Sequence, residues 1–280
     1  MNIQKALQQA NHFLKEKNIT TSDLDTQILM SEAIKKKKEF IIFNLDKKIT
    51  DSNLKYFKEL IKQRAKGKPI AYLIKKKSFW KYEFSVNKDV LIPRPDTEII
   101  VEQVLALTKN KEKLNLLDVG IGSGCILLSI LKDKKSFIGT GIDINNESLK
   151  ICKINAQNLD LINRLKLLKS DIDNFDNGKY DLIISNPPYI KRAQLKYLEK
   201  DVVGFEPKHA LDGGIEGLSE IRKVINKSSE LIKKKGHLVL EIGFDQRRSV
   251  KEILEKKGFY IKKIVKDLSN IDRCIISIKI

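Results

Sequence analysis

Beyond Pro95 the chain alternates short apolar, β-branched runs with longer stretches of helical period, and this alternation limits its possible folds more than any other feature. Strand patterns fall at 114–119, 137–142, 165–169, 180–185, 237–242, 259–265 and 272–279, and helical ones at about 96–107, 124–132, 146–158, 217–234 and 245–257. Such an order predicts an α/β fold, a mainly parallel sheet with helices on both faces. The last two strands are joined only by residues 267–270, too few for a crossover helix, so the seventh strand is expected to run antiparallel.

Two connections in this pattern carry chemistry. After the first strand come Gly120-Ile121-Gly122-Ser123-Gly124 and then a helical stretch. Glycines there permit close backbone approach by a ligand. The spacing is Gly-x-Gly-x-Gly rather than the Gly-x-Gly-x-x-Gly of dinucleotide sites, whose third glycine is here Cys125, so a pyrophosphate is not favoured. The next strand ends in Asp143, a carboxylate at a strand tip, where such a group can accept hydrogen bonds from both hydroxyls of a ribose. An adenosine-type cofactor fits this pair of features.

The run 180–185 leads into Asn186-Pro187-Pro188-Tyr189, at a strand end where α/β active sites open. The tetrad suits a planar NH2 whose lone pair is delocalised into a neighbouring π system. The Asn side-chain oxygen and the Pro187 carbonyl can accept its two N–H bonds, and the Tyr189 ring can pack on its flat face. Consecutive prolines stiffen the loop and lower the entropy of positioning the nitrogen. Both a carboxamide and an exocyclic base amine qualify as the acceptor. In isolation an Asn-Pro-Pro merely ends a strand; the ordered series of glycine turn, strand-end acid and tetrad carries the functional inference.

These motifs, together with Gly67-Lys68-Pro69-Ile70-Ala71-Tyr72-Leu73, Phe79-Trp80, Leu91-Ile92-Pro93-Arg94-Pro95-Asp96-Thr97-Glu98 and Phe205-Glu206-Pro207, make the chain resemble the release factor glutamine methyltransferase family. That family belongs to the class I S-adenosylmethionine-dependent methyltransferases, and the resemblance covers essentially the whole chain. The Pro-Arg-Pro-Asp-Thr-Glu stretch is its most particular part. The resemblance implies a seven-stranded Rossmann-like sheet, S-adenosyl-L-methionine as methyl donor, and N5-methylation of the Gln in the Gly-Gly-Gln loop of class I peptide chain release factors. It places the methionine part of the cofactor on Gly120 to Gly124, the ribose on Asp143, and the adenine on Asp171 and Ile172. Asn186, Pro187, Pro188 and Tyr189 take the substrate, with Asn186 also near the cofactor. One departure is visible: the family commonly has an aromatic residue after the Ser-Asp pair, where this chain has Ile172.

Residues 1–75 show helical periodicity with stops near Lys17, Lys35 and Gly67, which predicts a small N-terminal helical domain for substrate recognition. Ser22 and Asp25 have capping-box spacing, and Asp51 or Ser52 is placed to cap a helix whose Leu54, Phe57, Leu60 and Ile61 share a core face. Residues 76–95 read as a β-hairpin connector and 96–280 as the methyltransferase domain.

The 280 residues carry a formal net charge of +18, which raises the possibility of a nucleic-acid partner. Only eight of the 54 basic residues are Arg, however, and the lysines are dispersed, as at Lys35 to Lys38, Lys75 to Lys77 and Lys233 to Lys235, where solvated element ends are the expectation. No stable nucleic-acid partner is expected. An apolar run near the roughly 20 residues of a membrane span is absent, as is a signal-peptide core, so the expected location is cytoplasmic. Three scattered cysteines predict reduced thiols, and His12, His209 and His237 adjoin no motif, so neither a metal nor a His-based mechanism is expected. Two other acceptors stay open: an adenine N6 of DNA or RNA, against which the lack of a large recognition insert counts, and a glutamine of a ribosomal protein.

Overall fold

A computed structural model describes all 280 residues. The chain falls into two compact units, one of residues 1–76 with 199–205, the other of 77–198 with 206–280.

The first unit is helical: α1 (Ile3–Glu16), α2 (Ser22–Ile34), α3 (Lys38–Phe43), α4 (Asp51–Ala65) and α5 (Ile70–Ile74). Small Ala6 and Ala10 let α1 pack closely, and its apolar stripe joins Leu29, Met30, Ile41, Phe57, Leu60 and Ile61 in one core. Leu54, expected on that face, is only partly buried against it. The caps differ from expectation. Thr50 caps α4, its hydroxyl accepting from Asn53 N, because the helix starts at Asp51, itself one of the proposed capping positions. Asp25 is not half of a capping box. It is buried and accepts from Arg64 Nε at 2.7 Å and from the Thr21 hydroxyl at 2.8 Å, while Arg64 also donates to the carbonyls of Gly67 and Lys68. A buried acid needs such partners.

The second unit opens with a hairpin of β1 (Lys76–Phe79) and β2 (Tyr82–Ser85), whose Phe79 and Phe84 rings meet edge to face in the unit's core. Asp133 anchors the hairpin by accepting from Trp80 Nε1, Lys81 Nζ and the Tyr82 hydroxyl. Then follow α6 (Glu98–Leu107), β3 (Asn115–Val119), α7 (Cys125–Asp133), β4 (Ile138–Asp143), α8 (Asn146–Asn158), β5 (Leu165–Lys169) and β6 (Tyr180–Ser185). The short α9 (Lys200–Phe205) groups with the helical unit, and α10 (Ser219–Leu231), β7 (Ile232–Glu241), α11 (Arg247–Lys256), β8 (Phe259–Lys266) and β9 (Asp272–Lys279) complete the chain.

The sheet order is β5-β4-β3-β6-β7-β9-β8; the pairs among the first five are parallel, and β9 is antiparallel to both its neighbours, as the short final loop required. Two apolar cores flank it. One joins the hairpin, α6 and α7 to the sheet; the other joins α10 and α11. One boundary differs from the sequence pattern. Helical period was read to 234, but α10 stops at Leu231 and β7 starts at Ile232, so Lys233 to Lys235 lie within the strand. They sit in its irregular first half, where the pairing with β6 shifts register and Lys235 has φ 62°. Charged residues hid the strand because this half is exposed.

The chain leaves β3 for β4 on one side and places β6 on the other, so the crevice at the carboxyl ends of β3 and β6 is the topological switch point where α/β sheets bind ligands.

Candidate active site

A cavity of about 370 Å³ opens at that switch point. Its lining includes Gly120, Ile121, Gly122 and Ser123 from the β3–α7 turn, Asp143 from the end of β4, Asp171 and Ile172 after β5, and Asn186, Pro187 and Pro188 after β6. Of the expected site residues, all but two reach the cavity wall. Gly124 and Tyr189 stand behind it.

The glycine turn is made by backbone conformation. Gly120, Gly122 and Gly124 have φ of 73°, 54° and 82°, a region costly for other residues. A Cβ on Gly124 would fall 2.6 Å from Cys152 Sγ and 2.8 Å from Leu128 Cδ1, so this glycine also serves packing of α7 on α8. By contrast a Cβ on Gly120 meets nothing within 4 Å. Buried Asn155 of α8 braces the turn by donating to the Ser123 carbonyl at 2.8 Å and exchanging bonds with the backbone of Ser85.

Asp143 accepts from Gly122 N through Oδ2 (3.0 Å) and from Asn145 N through Oδ1 (2.8 Å). The cap of α8 is Asn145, whose side chain accepts from Glu147 N. Each Asp143 oxygen therefore keeps a lone pair for a ligand hydroxyl. Burial raises its pKa, against the pull of the Asn145 and Gly122 N–H groups and of His209. His209 is exposed and lies outside the motifs themselves, two residues after Pro207, yet it lines the same cavity. Asp171 starts a 3-10 turn and accepts from Asp173 N at 3.1 Å. Ile172 is buried in the apolar core and offers the cavity an aliphatic surface in place of an aromatic ring.

At the tetrad, Asn186 Nδ2 donates to the buried Thr97 hydroxyl at 3.1 Å, which leaves Asn186 Oδ1 as the side chain's free acceptor. Tyr189 donates its hydroxyl to Glu241 Oε1 at 3.1 Å, and its pKa is raised by burial and by that carboxyl. In the sequence Thr97 stands only as a member of the Leu91 to Glu98 stretch, with no role of its own, and Glu241 and Gln246 were not singled out. For Glu241 a signal existed, a charged residue inside the apolar run 238–242. Asp118 is a second buried acid, at the end of β3, pushed up to about 7 by burial and by Asp143 against the pull of the Leu127 N–H. Of the thiols, Cys152 and Cys274 are buried, whereas Cys125 reaches the cavity.

The arrangement places a curved backbone turn, a strand-end carboxylate with spare acceptor capacity and a carboxamide with a free oxygen around one cavity. Comparison with known proteins gives it a family. Residues 5–74 match the PrmC N-terminal domain, and residues 96–261 the methyltransferase small domain. A release factor glutamine methyltransferase of Clostridium acetobutylicum is 38% identical across 100% of this chain and 99% of its own length. One from Caulobacter vibrioides is 34% identical across 98% of this chain and 96% of its own. The chain belongs to the release factor glutamine methyltransferase family. Among solved structures, a methyltransferase from Pyrococcus furiosus shares the fold with a TM-score of 0.55 at 18% identity, covering 72% of this chain and 91% of that one. A ribosomal protein L11 methylase from Lactobacillus delbrueckii subsp. bulgaricus does so with a TM-score of 0.51 at 18% identity, covering 69% and 82%. The Leu91 to Glu98 and Phe205 to Pro207 stretches lie far apart in this sequence; Arg94 and Glu206 join them, as do Ile92 N and Glu206 Oε2 at 3.1 Å.

Proposed function

We propose that this chain transfers the methyl of S-adenosyl-L-methionine to N5 of the glutamine in the Gly-Gly-Gln loop of class I peptide chain release factors. The observation that carries the reading is the Asn186 amide, anchored through nitrogen to Thr97 with its oxygen left as an acceptor beside the cavity. Family membership supports the same acceptor.

When bound, the cofactor supplies an already activated methyl on a sulfonium centre. The chain therefore needs to orient the acceptor and exclude water rather than provide a strong base. Gly120 to Ser123 would hold the methionine part, with Gly124 behind them packing α7 on α8, Asp143 the ribose hydroxyls, and Asp171 with Ile172 the adenine. Asn186 Oδ1 and the Pro187 carbonyl accept the two N–H bonds of the glutamine amide, while Tyr189, behind the cavity wall, backs the loop that presents them. An amide nitrogen becomes strongly acidic once alkylated, so solvent suffices to take its proton. The helical unit binds the body of the release factor and supplies remote binding energy that positions the loop. No helix of the chain is long and apolar enough to cross a membrane, and a cytoplasmic location suits a translation-factor substrate.

Incubation with labelled cofactor and intact release factor, followed by mass spectrometry, tests the reading. The expected result is one methyl on the Gly-Gly-Gln glutamine, with duplex DNA and ribosomal protein unlabelled. Label on adenine, or on no glutamine, overturns it.

A further inference from the structure

Behind the tetrad lies a polar assembly that the transfer reaction has not yet used. Glu241 is the last residue of β7 and is 2% exposed. Its Oε1 accepts from the Tyr189 hydroxyl; its Oε2 has no partner in good hydrogen-bond geometry, though the Thr97 hydroxyl lies near the carboxyl. A buried carboxyl with an idle oxygen is a poor choice for stability, since an apolar side chain of similar size fits a core at lower cost. Five residues on, Gln246 is 3% exposed and uses both ends of its amide. Nε2 donates to the carbonyls of Tyr189 and Gly217, each at 2.9 Å, and Oε1 accepts from Gly243 N at 2.9 Å.

We propose that Glu241 and Gln246 are positioning residues for methyl transfer, gripping Tyr189 at its hydroxyl and at its carbonyl so that the tetrad presents a fixed face to the acceptor. The proposal rests on the tetrad reading above. Two further features support it. Gly213 packs so tightly that a Cβ there would lie 2.8 Å from Tyr189 C and Cα. Backbone bonds from Gly213 N to Ile190 O (2.9 Å) and from Ile190 N to Leu211 O (3.2 Å) hold the chain beyond the tetrad. A residue gripped at its ring hydroxyl and at its backbone carbonyl, on a loop stiffened by Pro187 and Pro188, has little freedom left, and loss of either grip loosens it.

The test is a double-mutant cycle on the full chain with intact release factor. Tyr189→Phe and Glu241→Leu each remove one side of the hydroxyl contact, Glu241→Gln keeps its shape and an acceptor oxygen, and Gln246→Met removes the carbonyl contact at similar volume. Expected is a fall in kcat of about 10-fold or more for Tyr189→Phe, Glu241→Leu and Gln246→Met, the size of one lost charge-assisted or paired hydrogen bond. The Tyr189→Phe, Glu241→Leu double variant should be no slower than the slower single, and Glu241→Gln should regain most of the rate. The Kd of S-adenosylmethionine and the KM for release factor should stay within about twofold, a split that general loosening of the fold does not give. Asn186→Ala is run beside them. A slow Asn186→Ala with full-rate Glu241→Gln, Glu241→Leu and Gln246→Met overturns the positioning role alone, as do additive effects in the cycle. A full-rate Asn186→Ala overturns the tetrad reading, and the positioning role falls with it. If Glu241→Leu does not fold, Tyr189→Phe and Gln246→Met decide instead: full rate in both beside a slow Asn186→Ala overturns the positioning role.

Discussion

Arg94 donates to Glu206 at 2.5 Å across 112 residues of sequence, and the same carboxylate accepts from Ile92 N, so one buried acid ties the segment before α6 to the return from α9. Pro93 and Arg94 line the cavity, which makes Glu206 a brace for its rim. Glu206→Ala leaves the Ile92 N–H unpaired in a buried setting, whereas the Arg94 head is partly exposed and can turn to water. The expected loss is about 1–3 kcal/mol, with Glu206→Gln losing less. Urea unfolding at unchanged slope reads this out as a lower midpoint. An unmoved midpoint removes the brace.

Asp143→Ala should weaken S-adenosylmethionine and S-adenosylhomocysteine alike, because both carry the same ribose. Loss of charge-assisted bonds gives about 10- to 150-fold in Kd. Asp143→Asn keeps one acceptor oxygen, enough for either Gly122 N or Asn145 N, and should fall between. Calorimetry with both ligands decides it; equal affinity in wild type and Asp143→Ala would reduce the residue to a turn carboxylate.

The sheet was legible because its signal is local. Period and loop length at 267–270 were enough to set the strand directions. The glycine turn and the tetrad were legible for the same reason, as contiguous residues whose conformation and chemistry travel together. What supports them was not. Thr97, Glu241 and Gln246 act on the tetrad from 89, 52 and 57 residues away, and nothing in a linear pattern says which carbonyl a glutamine will meet. The caps were misplaced for a related reason: Asp25 has the spacing of a local cap, but its long-range pairing with Arg64 prevails. Lys233 to Lys235 masked the start of β7 because charge usually marks an element end, and here it marks the solvated half of a strand.

The pair in the helical unit gives a stability test. Arg64 is 8% exposed and its Nε is held by Asp25. Asp25→Ala leaves the buried Arg64 with only the Gly67 and Lys68 carbonyls and Asp201 Oδ2 at 3.8 Å, and should cost about 3 kcal/mol, the low end for a broken buried pair. An Asp25→Ala, Arg64→Met double variant should recover much of the loss, since it removes the stranded charge as well. Additive losses in chemical denaturation would contradict this account.

Two buried acids set a pH dependence. Burial pushes both Asp118 and Glu241 up to about 7, above their usual values of 3.8 and 4.5. Thr97, Tyr189 and Arg273 oppose the rise at Glu241, and Asp96 adds to it. A carboxyl whose folded pKa is raised keeps its stabilising proton fully below the unfolded pKa and loses that contribution as pH climbs through 7. Each should therefore cost the fold about 3–4 kcal/mol between pH 4 and pH 8. Asp118→Asn and Glu241→Gln should each flatten the fall in stability over this window relative to wild type. Parallel wild-type and variant curves would show that the groups stay ionised throughout.

Asn186 and Thr97 yield a graded prediction about the reaction itself. Thr97 sits in the 3-10 turn ahead of α6, lines the same cavity and accepts from Asn186 Nδ2, so it fixes the rotation of the amide. Removing the amide in Asn186→Ala takes away an orienting acceptor and should lower kcat by about 10²–10³, the usual loss for one such group. In Thr97→Val the amide keeps its oxygen but loses its anchor, and free rotation lets nitrogen and oxygen exchange places. That variant should lose about one hydrogen bond's worth of rate, roughly 10-fold. Thr97→Ser retains the hydroxyl and should stay near wild type. Single-turnover rates on intact release factor give the order, and cofactor Kd should hold steady across the series because none of these bonds is to the ribose or the glycine turn. If Thr97→Val is as slow as Asn186→Ala, the threonine contacts the acceptor directly; if it is as fast as wild type, the anchor has no part in orienting the amide.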